Sequence, residues 1–95
     1  VTVTVDDLKK SLRIDHSEDD ALLQAYLTTA QAYVIGAIDQ KLTINDFTDE
    51  PRFDFATSLL TQHWYTNRGV DGAEYVPASV VSMIQQLRGV DYGNR

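Results

Sequence analysis

Cysteine is absent from this 95-residue chain, and proline (two), methionine (one) and tryptophan (one) are scarce. Without cysteine there is no disulfide framework, no thiolate metal site and no cysteine nucleophile. Basic residues are also few, eight Lys and Arg against fourteen Asp and Glu, for a formal net charge of −6. They are scattered along the chain, which argues against general nucleic-acid binding and leaves open only a local basic patch after folding. No run of roughly 18 apolar residues is evident, so no membrane span is expected, and Val1–Val5 lacks the charged-then-apolar pattern of a signal peptide. The expectation is a soluble intracellular protein. With 43% hydrophobic and 23% charged residues, residues 1–95 fit one globular domain with one modest core.

What is present is helical periodicity. From Ser17 to Leu42, apolar residues recur at three- and four-residue steps with no proline: Leu23, Tyr26, Leu27, Ala30, Tyr33, Val34, Ala37, Ile38 and Leu42. That spacing predicts one long helix with a single apolar stripe. Gln24, Thr28, Thr29, Gln31 and Asp39 fall on the other side and should meet water. Ser17 and Asp20 have capping-box spacing, and Glu18, Asp19 and Asp20 suit the positive end of the helix dipole. Gly36 costs about 1 kcal/mol relative to alanine inside such a helix, tolerable if another backbone packs closely there.

Before this helix, Val1, Val3 and Val5 alternate with threonine, predicting a short extended arm over Val1–Val5. Thr4 and Asp7 then form a second capping-box pattern, and Val5, Leu8 and Leu12 mark a short helix ending near Leu12, with Lys9, Lys10 and Arg13 at its negative end. Ile14 should plug the corner. Residues 15–20, the densest polar cluster, fail as a calcium loop: counting from Asp15, the sixth position is Asp20 rather than Gly and the twelfth is Tyr26 rather than Glu. Helix capping and a solvated acidic corner account for them, with a loosely bound divalent cation as the alternative.

Beyond the long helix, Thr43 to Glu50 loses the apolar period and predicts a loop with Ile44 and Phe47 tucked beneath it. Pro51 suits the first turn of a third helix reaching about Asn67, with Thr48 or Asp49 as candidate N-cap. Its stripe is Phe53, Ala56, Leu60, Trp64 and Asn67, widened by Phe55 and Leu59. Trp64 is read as core. Tyr65 and Arg68 are read as an exposed contact face, because aromatics and arginine are enriched in protein interfaces. A fourth helix after Pro77 should bury Val80, Val81, Ile84 and Leu87 and end at Gly89. Residues 70–76, with Tyr75, and the tail around Tyr92 are expected to be flexible.

No catalytic constellation accompanies His63 or His16. The nucleophile-elbow pattern is missing, and two histidines without metal-binding spacing make zinc improbable. No cofactor is expected. The composite is all-α, a small bundle of about four helices around one long helix, with an extended N-terminal arm and a flexible tail. Core candidates are Leu23, Leu27, Ala30, Val34, Phe53, Leu60, Trp64, Ile84 and Leu87.

In order and spacing, Leu8-Lys9, Leu12-Arg13-Ile14-Asp15, Asp19-Asp20, Leu23, Ala30, His63-Trp64-Tyr65, Arg68, Pro77, Val80 and Arg88 resemble the phage head-tail connector family. These are the small helical neck proteins of long-tailed phages and prophages, also labelled DNA-packaging proteins. The resemblance implies a non-enzymatic virion protein, made in the host cytoplasm, that completes the packaged head as a homo-oligomeric ring. Such a ring joins the portal to the next neck or tail protein and lets DNA pass without specific binding. Tyr65, Arg68, Tyr75 and Tyr92 are then the candidate subunit or partner contacts. The alternative is a small helical adaptor or regulatory domain that binds a cellular protein through the aromatic helix face.

Overall fold

The computed structural model describes residues 3–68 and 76–89. Thr4, in extended backbone, opens helix α1 (Val5–Leu12) with a reciprocal box: the Asp7 N–H donates to Thr4 Oγ1 at 3.2 Å, and the Thr4 N–H to Asp7 Oδ2 at 2.9 Å. The backbone and hydroxyl bonds from Thr4 hold the Asp7 carboxyl below its usual range. Val5 therefore belongs to α1 and not to an extended arm; residues 1–2 lie outside the described residues, among which there is no strand. The helix ends in a Schellman pair, Ile14 N–H to the Lys9 carbonyl at 2.8 Å and Arg13 N–H to Lys10 at 3.3 Å. Arg13 supplies the left-handed turn at φ 60°.

Helix α2 (Asp20–Ile38) is shorter than the Ser17–Leu42 stripe predicts. Ser17 does not cap it; Asp19 stands at the N-cap position without a side-chain capping bond, because its carboxylate is engaged elsewhere. Asp39 leaves the helix in extended backbone, and the Leu42 N–H closes a turn onto its carbonyl at 3.0 Å. By length and composition alone α2 qualifies to cross a membrane, contrary to the expectation that no such segment exists. Its inner row argues for a different use: Leu23, Leu27, Ala30 and Val34 are buried, and the helix packs against α1, α3 and α4.

Residues 43–50 are more ordered than the loop expected there. A 3₁₀ turn spans Ile44–Phe47, and the Thr43 N–H donates to Asp46 Oδ2 at 2.8 Å. The turn drives Phe47 inward, where its ring stacks on Phe53 with centroids 4.5 Å apart. Helix α3 (Pro51–Thr66) follows, capped by Glu50 rather than Thr48 or Asp49: Glu50 Oε2 accepts the Arg52 N–H at 3.3 Å. Its buried row is Phe53, Ala56, Thr57, Leu60, Thr61 and Tyr65. Both threonines satisfy their hydroxyls within the helix, Thr57 on the Phe53 carbonyl at 3.0 Å and Thr61 on Thr57 at 2.7 Å, so each presents a methyl group to the core.

Helix α4 (Ala78–Arg88) buries Val80, Ile84 and Leu87 and stops at Gly89. The other three helices pack around α3, which meets each of them. One cluster of the core joins Ala30, Val34, Phe47, Phe53, Ala56 and Leu60 to the α4 residues; Leu8 of α1 and Leu23 and Leu27 of α2 are buried as well. The architecture is all-α.

Candidate subunit-contact surfaces

The two polar clusters singled out in the sequence, residues 15–20 and the aromatic end of α3, meet in space. The Tyr65 hydroxyl donates to Asp19 Oδ2, and Arg68 Nη2 lies 3.8 Å from the same carboxylate oxygen. The Arg68 guanidinium covers the Tyr65 ring, 4.1 Å from its centroid, and Nη1 donates to the Tyr65 carbonyl. The hydrogen bond to Asp19, with burial and the negative charge of Asp19 acting in the same direction, raises the Tyr65 phenol above its ordinary value. On the other side of the α2 N-terminus, Lys9 Nζ pairs with Asp20 Oδ1 at 2.9 Å. The acidic corner thus ties α1 and α3 to the start of α2, and α3 runs antiparallel to it.

This geometry revises the facing of α3. Tyr65, expected to be exposed, is only 9% accessible. Trp64, expected in the core, is half-buried at the core's edge, its ring centroid 6.4 Å from that of Tyr26. The buried arc widens toward Thr57, Thr61 and Tyr65, the threonine hydroxyls being satisfied within the helix; Leu59 packs partly buried against the core as expected, and Phe55 does not. Arg68 keeps an exposed side. Tyr75 and Tyr92 lie outside the described residues.

The His63 carbonyl accepts from Asn67 Nδ2 at 2.8 Å, and the same amide lies 3.3 Å from its Nδ1. Among the described residues, no group of three His, Asp or Glu side chains gathers where a metal ion would fit.

Among the described residues, three large apolar side chains are exposed: Phe55 (53%), Tyr33 (45%) and Val81 (40%). Sequence periodicity placed all three on the apolar stripes of their helices, though not among the core candidates. Each stands at the edge of, or opposite, its helix's buried row, and only the true row distinguishes them. Phe55 and Tyr33 lie on helix stretches without charge, since no Asp, Glu, Lys or Arg occurs between Asp20 and Asp39 or between Asp54 and Arg68.

The sequence pattern described as "Phage gp6-like head-tail connector protein" matches residues 2–95. The chain belongs to that family. No curated protein and no solved structure matches it. Membership gives this connector a structural role at the head-tail junction of the virion, in company with other head and tail proteins of the phage.

Proposed function

We propose that this connector subunit acts as a closed homomeric ring, seated between the portal and the next neck or tail protein. The ring completes the packaged head and surrounds the path of the DNA, without catalysis. The match of the family pattern to residues 2–95 carries this reading. The net charge of −6 supports it, since an acidic wall repels phosphates and lets DNA slide without sticking.

Like charges oppose assembly of such subunits, so screening by salt should favour the ring. Native mass spectrometry across concentration and salt, with and without portal, tests the proposal. A single closed stoichiometry that strengthens with salt is the expected result. A strict monomer or a twofold dimer under every condition, portal included, would overturn it and favour an adaptor that binds a single partner.

A further inference from the structure

The outer side of α2 carries Ala25, Thr28, Thr29, Ala32, Tyr33 and Gly36, all exposed. It is a charge-free surface on a protein of net charge −6. Gly36 has no internal explanation, since a Cβ built there meets nothing within 4 Å, yet a glycine inside a helix destabilises it relative to alanine. The subunit therefore leaves open space over Gly36 at a cost to its own helix.

A second charge-free surface lies on α3. Phe55 stands away from the buried row with about half of its surface exposed, and Ser58, Leu59, Gln62 and Thr66 carry that side onward without a charged group. Gln62 donates to Ser58 Oγ at 2.9 Å, and Arg52, at the start of the same helix, pairs with Glu50 at 2.9 Å.

We propose that these two faces are the two halves of the contact between adjoining copies of this chain. The exposed Phe55 of one copy seats over Gly36 and Ala32 of the next. Charge argues against two other occupants, and the next copy meets this surface through a face that itself carries no charge. An anionic lipid surface or a nucleic acid would be repelled by the acidic body around the α2 face and would find no lysine or arginine on it. The α3 face meets it without burying any carboxylate, a costly step for an unpaired charge. A large apolar knob also complements a surface of alanine, threonine and glycine. Because the two faces differ, the contact is heterologous and can propagate around a ring. The assignment rests on the ring reading above and names its interface.

The absence of cysteine allows a direct test. Gly36→Cys and Phe55→Cys are combined in one chain and oxidised mildly under conditions where native mass spectrometry finds the unmodified chain assembled. A covalent ladder extending beyond dimers is expected from the double variant, with no cross-linking in either single variant. Efficient dimerisation of the Gly36→Cys variant alone would indicate a twofold contact and overturn the proposal. No ladder from variants that still form rings would overturn these faces while leaving the ring intact. No assembly by the unmodified chain, even with portal, would remove the ring and this contact with it. Gly36→Ala gives a second readout: an isolated subunit that melts higher but assembles at least tenfold more weakly. Unchanged assembly by that variant would also count against the seat over Gly36.

Discussion

Tyr65 donates its hydroxyl hydrogen bond to Asp19, forty-six residues earlier, and Arg68 covers the ring while approaching the same carboxylate. The three side chains fasten the last turn of α3 to the first turn of α2. A surface reading of Tyr65 and Arg68 would have substitutions weaken association alone; this geometry makes them weaken the fold.

Tyr65→Phe is accordingly expected to lower the melting temperature by about 5–10 °C, since a hydrogen bond to a charged acceptor is lost in a domain of this size. The sign with pH follows from the raised phenol. Its contribution is fully present below the ordinary value of 10.0 and is lost as pH rises through the higher folded value. Thermal melts from pH 7 to 11 should show the unmodified protein converging on the variant at the alkaline end. Arg68→Glu, which sets a second carboxylate beside Asp19, should also melt lower at pH 7. Unchanged melting of both variants would mean that the fastening contributes nothing to the fold.

How much of this was legible beforehand follows the range of each interaction. Caps and stops are local: Thr4 with Asp7, the end at Leu12, Pro51 and Gly89 were all readable from spacing. Thr43 and Asp46 repeat the spacing of Thr4 and Asp7, so the 3₁₀ turn was written in the chain as well, but the surrounding polar residues masked it. The facing of α3 was not readable from hydropathy. Thr57 and Thr61 count as polar in sequence and lose that polarity only once their hydroxyls bond the helix itself. The Tyr65–Asp19 contact depends on tertiary structure alone, and no local pattern announces it. The exposed Tyr33, Phe55 and Val81 were hidden for the same reason, since periodicity ranks apolar residues without knowing which neighbours cover them.

The revised facing changes which aromatic residue matters most to stability. Phe47 is fully buried and stacked on Phe53, whereas Trp64 keeps part of its surface in water. Phe47→Ala should cost about 3–5 kcal/mol, and Trp64→Ala, though it deletes a larger side chain, only about 1.5–3 kcal/mol. Urea denaturation of both variants gives the order. A larger loss for Trp64→Ala would restore Trp64 to the centre of the core.

Arg13 holds a left-handed conformation, φ 60°, at the end of α1. A residue with a Cβ is strained there, and glycine is favoured at this position of a Schellman motif. Relief of strain, partly offset by the greater freedom of glycine in the unfolded chain, should make Arg13→Gly more stable by about 0.5–1 kcal/mol. Arg13→Ala, which keeps the Cβ, should show no such gain. Comparing the two by chemical denaturation separates the backbone effect from loss of the arginine charge.

Asp54 brings a carboxylate into the fold at some cost. Its Oδ1 atom is buried without a hydrogen-bond partner, and burial, reinforced by the negative charges of Asp7 and Glu50, holds the group above its ordinary value of 3.8. An acid raised in the folded state contributes favourably below the unfolded value, and that contribution is lost as pH rises through the folded one. At neutral pH the ionised Asp54 is therefore a destabilising group. Asp54→Asn, nearly the same shape and always neutral, should be more stable than the unmodified chain at pH 7. The advantage should shrink as pH falls toward 3.5, where Asp54 is itself protonated. Paired urea titrations at the two pH values measure the difference directly. A variant that loses stability at pH 7 would show instead that the favourable interaction of Asp54 with the positive end of α3 outweighs the cost of burying it.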